Sequence, residues 1–270
     1  MLGDDDVIFS IRLGGLMALV ELLGSGNAFL PSGRLHSFLA IDRHIIVDCP
    51  PTALASLRIA GISPADIDVL LVTHVHGDHV FGFPNFLLER KYISDREGQK
   101  KLIVAGSEIV RERLTTLCKL AYPGSLDDML QTIEWVDDLE TSDWKFERFE
   151  VLHDPEVEPH GWMMDHKEGW SMLHSGDSGP CEELWNRVEK CKFAIVEMGV
   201  PEWVATEHHH KPSHITDLAK KCSQTKIILT HTYIDSDYEI LTKEIPEFPP
   251  NVIHGEDGMK FNLNSNGIIL

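Results

Sequence analysis

Four ligand-type side chains fall within six residues of this chain. They are His74, His76, Asp78 and His79, in the stretch Thr73-His74-Val75-His76-Gly77-Asp78-His79. Imidazole nitrogen combined with carboxylate oxygen suits Zn, Mn or Fe better than Ca or Mg, which prefer all-oxygen shells. The apolar run Val69-Leu70-Leu71-Val72 directly precedes the stretch. It predicts a buried strand that delivers the polar cluster at its end. On extended backbone, His74 and His76 have i, i+2 spacing and point the same way. Asp78 and His79 then fall on a turn running into a helix. A solvated histidine-rich turn is the plain alternative, and the buried strand before it counts against that.

Several other segments show the same strand-then-ligand pattern. Trp144 to Leu152 reads as a strand and is followed by His153. Trp170-Ser171-Met172-Leu173-His174 leads into Ser175-Gly176-Asp177-Ser178-Gly179. Ile227-Ile228-Leu229-Thr230 ends at His231. Side chains at the ends of neighbouring strands converge at one edge of a sheet, where α/β sheets place their sites. His153, Asp177 and His231 therefore join the first cluster as candidate metal ligands. A second histidine-rich stretch, Glu207-His208-His209-His210-Lys211-Pro212-Ser213-His214, precedes a predicted helix from Ile215 to Lys221.

The remaining elements alternate between strand and helix. Leu16 to Leu23 predicts a strand ending in Gly24-Ser25-Gly26-Asn27, a tight turn with close backbone approach. The third glycine and following helix of a dinucleotide fingerprint are missing. Ser37 to Ile41 and His44 to Asp48 predict a hairpin. Thr52 to Ala60 reads as a helix with Leu54, Leu57 and Ile59 as its apolar residues. Helix is also expected over Glu108 to Leu120, with Ile109, Leu114 and Leu117 inward, and over Cys181 to Lys190. Strands are expected over Lys101 to Ala105, Gln131 to Val136 and Phe193 to Glu197. Residues 154–169 are rich in Glu, His, Asp and Pro and read as loop and turn. Layers of mixed α and β follow from this order. A chain of 270 residues without an internal repeat or linker is expected to be one domain, 1–270, with 1–16 as an N-terminal extension.

Composition narrows the partners. The net charge is -19 at pH 7, and no Lys/Arg cluster interrupts it. Such a surface repels phosphate backbones, so long nucleic acid is not the expected partner. The five cysteines, Cys49, Cys118, Cys181, Cys191 and Cys222, are scattered and form no CxxC. That pattern fits reduced thiols and a cytoplasmic protein. Neither a signal peptide nor a membrane span is expected.

Together, Thr73 to His79, Leu23-Gly24-Ser25-Gly26-Asn27-Ala28, Ile46-Val47-Asp48-Cys49, His153, Ser175-Gly176-Asp177-Ser178 and Leu229-Thr230-His231 resemble the motifs of the metallo-β-lactamase fold superfamily. The resemblance spans roughly residues 17–235. It implies a four-layer αββα sandwich with a two-metal site. By that pattern His74, His76 and His153 hold one metal, Asp78, His79 and His231 the other, and Asp177 bridges them. Two divalent ions are implied, Zn favoured, with Mn and Fe as alternatives. An aspartate at the bridging motif resembles the branch containing ribonuclease Z and cyclic-phosphate diesterases. The implied activity is a phosphodiesterase, in which a water shared by two metals ionises near pH ~7 and attacks phosphorus. His214 is the expected catalytic proton donor, with His209 or His210 as alternatives, and Asp78 counts as catalytic as well as ligating. His36, His44, His160, His166, His174 and His254 are expected to be structural or on the surface.

Ribonuclease Z carries a long tRNA-gripping arm between the third histidine motif and the bridging aspartate. Here only 24 residues separate His153 from Asp177. A small phosphodiester or cyclic nucleotide is therefore the expected substrate, ahead of tRNA 3′ processing. Lactone or thioester hydrolysis is the alternative chemistry, and a non-catalytic metal-binding protein is a third class. Residues 89–99 and 154–169 are candidates for a lid or subunit contact in a homodimer. His160, Trp162 and Met163 are candidates to line the pocket.

Overall fold

Strands that are apolar on both faces need cover on both faces, and that requirement organises this chain. The computed structural model describes residues 17–269 apart from Gln99 and Glu244, so the expected extension 1–16 lies outside the described residues. The chain begins with strand β1 (Ala18–Gly24), the hairpin β2 (Phe38–Ile41) and β3 (Ile45–Val47), and helix α1 (Ala53–Ala60). Strand β4 (Val69–Leu71), the single turn α2 (Gly77–Val80) and helix α3 (Phe83–Glu89) follow. Next come β5 (Ile103–Ala105), α4 (Glu108–Ala121), α5 (Asp127–Thr132) and β6 (Glu134–Val136).

The second half starts with β7 (Leu139–Glu140), β8 (Trp144–Glu150), β9 (His160–His166) and β10 (Trp170–His174). It continues through α6 (Glu182–Lys190), β11 (Phe193–Glu197), α7 (Pro212–Lys221), β12 (Lys226–Thr230) and β13 (Val252–His254). Strands β14 (Met259–Asn264) and β15 (Gly267–Ile269) then return to the first sheet. The eight-stranded sheet runs β15-β14-β1-β2-β3-β4-β5-β6, and the seven-stranded sheet runs β13-β12-β11-β10-β9-β8-β7. Strands β3 to β6 are mutually parallel, as are β10 to β13.

Three apolar layers define the packing. Between the sheets lie Leu39, Val47, Leu71, Trp144, Phe146, Trp162, Met164 and Phe193. Outside the first sheet, Ile46, Leu70 and Val104 meet Leu57 of α1, Phe83 of α3 and Leu114 of α4. Outside the second sheet, Ala194, Ile227 and Leu229 meet Leu184 of α6 and Leu218 of α7. Side chains alternate across each strand, so neighbours such as Leu70 and Leu71 serve different layers. The result is the expected four-layer αββα sandwich. The two sheets are stitched where Gly26 bridges both His36 and Thr232. A side chain at nearby Gly24 would put Cβ 2.0 Å from the His36 carbonyl oxygen, so only glycine fits that approach.

Some expectations need correction. Residues 154–169 are not one loop. After a turn at Pro155–Val157 they form β9, which pairs with β8 and β10 along its length. Flanking His160, Asp165 and His166 hide the alternation of Trp162 and Met164, which both point into the inter-sheet layer. Trp162 is thus core, donating Nε1–H to the Val72 carbonyl at 3.2 Å, and does not line a pocket. The segment 89–98 continues from α3 with Arg90 buried while Tyr92 and Ile93 stand exposed. Arg90 is fully buried and donates to the Ile67 carbonyl, Asp95 and the Lys100 carbonyl, which pins the segment down.

Residues 127–132 are helical, so β6 begins only at Glu134. Ile59 on α1 is 76% exposed, and α4 turns Val110, Leu114 and Cys118 inward, with Ile109 and Leu117 only partly covered. All five cysteines are free thiols.

Truncating Trp162 removes the largest fully covered side chain of β9. Trp162→Ala is expected to destabilise the fold by about 3–5 kcal/mol, read as a lower urea midpoint at unchanged slope.

Candidate metal centre

The parallel strands place their C-terminal ends at one edge of the sandwich, and the polar residues gather there. Asp48 follows β3, His74 follows β4, His153 follows β8, Asp177 follows β10, Glu197 ends β11 and His231 follows β12. Asp48 organises the first loop. Its backbone sits in the left-handed region, at φ 66°, and its carboxylate is 2% exposed. It accepts hydrogen bonds from Thr73 N at 2.8 Å, Thr73 Oγ1 at 2.9 Å and His79 Nδ1 at 2.7 Å. A carboxylate held by three donors across two elements fixes the path of residues 73–79.

The acceptors behind the histidines set their tautomers. His79 Nδ1–H donates to Asp48, and His74 Nδ1 lies 3.0 Å from Thr73 Oγ1, which itself donates to Asp48. His153 Nδ1–H donates to the His208 carbonyl at 3.0 Å. In each case Nδ1 is the nitrogen engaged behind the ring and Nε2 faces the centre.

Two donor groups result. In the first, Nε2 of His74 and Nε2 of His153 each lie 3.1 Å from Nδ1 of His76. Tetrahedral zinc with Zn–N of ~2.0–2.1 Å requires nitrogens about 3.3–3.4 Å apart, so this spacing is close to a ready coordination triangle. In the second, His231 Nε2 lies 3.2 Å from Asp78 Oδ2 and 3.3 Å from Asp177 Oδ2. His79 Nε2 lies 3.5 Å from Asp78 and 3.4 Å from Asp177. Asp177 also faces the first group, with Oδ2 3.9 Å from His74 Nε2.

The chemistry of these donors fits divalent ions. His79 Nε2 is sealed from solvent and hydrogen-bonded to nothing. Burial opposes charge on that ring, yet Asp177, Asp78 and Asp48 together hold its pKa well above the ordinary imidazole value. So many carboxylates around one imidazole call for positive charge, which a cation meets. Burial, reinforced by repulsion from His79, holds His74 well below the ordinary value and neutral. Asp177 stays ionised despite burial because His231 and His79 face it. Neutral imidazole and ionised carboxylate are the ligand forms.

All seven expected ligands are therefore brought together, and His209 joins them. Its Nδ1–H donates to Glu197 Oε1 at 2.9 Å. Its ring lies 4.8 Å from that of His153 and stacks 6.0 Å from His231. Burial works against charge here too, but the Glu197 carboxylate prevails and raises the pKa to about 9. Glu197 itself is fully buried and also accepts from the backbone N–H groups of Ser178, Gly199 and His210.

His214 is not brought to the cluster. It sits in the first turn of α7, where Nδ1 accepts from Lys211 N at 3.3 Å, and its ring neighbour is His210. Both nitrogens of His210 are occupied, Nδ1 by the Ser178 carbonyl and Nε2 by the indole N–H of Trp185. Sequence position alone assigns no role to Glu197 or Asp48. Glu197 shares the strand-end position of Asp177, and that signal could have marked it.

Two opposed sheets, outer helices and a histidine–aspartate centre at their common edge define a hydrolase of the metallo-β-lactamase fold. The chain lies in the ribonuclease Z-like branch of that superfamily. Within it, the chain belongs to the anti-Pycsar protein Apyc1 family, whose profile matches residues 18–244. Ribonuclease Z of Pyrobaculum calidifontis is 26% identical over 251 residues, covering 80% of this chain and 87% of that protein. The anti-Pycsar protein Apyc1 of Paenibacillus sp. is 39% identical over 84 residues, covering 30% of this chain and 34% of that protein. The metallo-β-lactamase fold protein YhfI from Bacillus subtilis superposes with a TM-score of 0.71 at 15% identity, over 91% of this chain and 99% of its own. No helix among the described residues is long and apolar enough to cross a membrane.

Removing the Asp48 carboxylate frees both Thr73 and His79. Asp48→Ala is expected to weaken metal affinity about 10- to 100-fold, measured by competition with a chromogenic chelator.

Proposed function

We propose that this chain is a dinuclear metal-dependent phosphodiesterase acting on small phosphodiesters, cyclic nucleotides included. The supporting observation is the pairing of two donor groups across Asp177 with a histidine–carboxylate pair, His209–Glu197, at their rim. His74, His76 and His153 would hold one ion, Asp78, His79 and His231 the other, and Asp177 both. Bound divalent ions, Zn favoured, supply Lewis acidity for a phosphoryl group and acidify water.

The protein's own groups do the rest. Asp48 and Thr73 keep His74 and His79 in the ligating tautomer. Glu197 holds the Nδ1 proton of His209, which leaves Nε2 free to carry a second proton toward the leaving alkoxide. The proton donor is then His209, which borders the donor groups, in place of His214, which caps a helix. Asp78 acts as a ligand and draws its catalytic weight from that.

Similarity to ribonuclease Z favours a second reading, cleavage of tRNA precursors. Two observations weigh against it. The stretch from His153 to Asp177 is spent on a turn and the β9–β10 hairpin, without a protruding arm. The net charge of -19 also opposes approach of a polyanion. Small diesters bring far less charge.

A panel of bis-p-nitrophenyl phosphate, a lactone and a thioester tests the reaction class. Turnover of the phosphodiester is expected, and turnover of the carbon esters alone would refute the proposal. His209→Ala should keep its metal content and lose about 10²-fold or more in kcat on an alkyl diester, with a smaller loss on a nitrophenyl diester. His214→Ala should stay within severalfold of wild type on both. The reverse ranking of the two variants returns the role to His214.

A further inference from the structure

Beside the metal centre lies a cavity of about 690 Å³, within the range of ligand pockets. His153, a member of the first donor group, forms part of its wall, and His208, whose carbonyl holds the His153 ring, forms another part. Its other walls come from both sheets, with Ser107 just after β5 and Arg148 on β8. Arg148 follows Trp144 and Phe146 at two-residue intervals, and those two face the apolar layer between the sheets. An arginine therefore follows two core positions on one strand face, with Glu150 completing that face at the strand end. Its Nε donates to the Asp137 carbonyl at 3.1 Å and its Nη2 reaches Asp137 Oδ1 at 3.4 Å. Its Nη1 is buried and has no partner. The hydroxyl of Ser107 is likewise buried and unpartnered. Two orphaned polar atoms on residues lining one cavity are unusual, because a buried polar group without a partner is destabilising.

The charge of the lining selects among ligands. Glu150 and Glu158 stand in the same wall as Arg148, so the cavity does not favour a second phosphate. Pro155, Pro159 and Leu152 add flat apolar surface. Donors at one end, apolar walls and carboxylates able to accept from hydroxyls suit an uncharged heterocycle carrying a sugar.

We propose that this cavity is the subsite for the nucleoside portion of the substrate, with Arg148 and Ser107 donating to acceptor atoms of the base. This subsite deepens the phosphodiesterase reading and rests on it for the identity of the reacting group. It makes Arg148 a specificity-determining residue.

The test compares a cyclic mononucleotide with methyl p-nitrophenyl phosphate, which has no base. Arg148→Met is expected to raise KM for the nucleotide about tenfold or more relative to the change for the base-free diester. Ser107→Ala should act in the same direction and leaves the Asp137 contacts in place, so misfolding of the arginine variant does not decide the outcome. Equal effects on both diesters for both variants overturn the inference.

Calorimetry separates the subsite from the reaction. Metal-loaded wild type should bind a nucleoside monophosphate more tightly than inorganic phosphate, and Arg148→Met should narrow that gap. A nucleotide bound no better than phosphate overturns the subsite whatever the enzyme hydrolyses. Selective nucleotide binding without turnover of either diester sinks the phosphodiesterase reading and leaves the subsite standing.

Discussion

The candidate centre depends on one buried carboxylate, that of Asp48. Asp48 ties the end of β3 to the loop after β4 through Thr73 and His79. A left-handed backbone is unfavourable for a residue other than glycine, yet it is what turns this carboxylate back toward its three donors. Charge-assisted hydrogen bonds in a water-poor setting offset that strain. Glu197 plays the matching part in the second sheet, gathering three backbone N–H groups and one imidazole. The candidate metal ligands stand between these two anchors, one at the end of a strand in each sheet.

Electrostatics explain why the anchors must be exact in place. The site concentrates histidines and carboxylates out of water, an arrangement that is costly unless each charge has a partner. Each imidazole whose far nitrogen meets an acceptor turns its other nitrogen toward the centre, so ring orientation is set before any ion arrives. Only the far nitrogen of His231 lacks such support among the described ligands with buried rings. Its backbone also sits at φ 48°, so strand geometry rather than a hydrogen bond aims that ring.

Much of this was legible in the chain. His74, His76 and His79 announce themselves by density, and Asp177 and His231 by their place after apolar strands. The β9 strand was not, because His160, Asp165 and His166 give it the composition of a loop while Trp162 and Met164 bury it. The C-terminal strands β13 to β15 are half polar, and their pairing with β12, β1 and β14 defines them. His209 and His214 cannot be separated by composition. The difference lies in where α7 starts, since Pro212 commits His214 to its first turn and leaves His209 on the loop facing the donors. Asp48 and Glu197 were visible only as acidic residues at strand ends, since hydrogen-bond direction is a property of the folded arrangement.

The stitch at Gly26, which bridges His36 just before β2 and Thr232 just after β12, has a kinetic consequence. Ligands drawn from β4 to β12 cannot meet until both sheets exist and have docked. Such distant pairings form late, after the loop-closure entropy of most of the chain has been met. Metal capture at the proposed centre would then report completed folding, since a chain arrested at either half presents scattered histidines with no common focus for an ion.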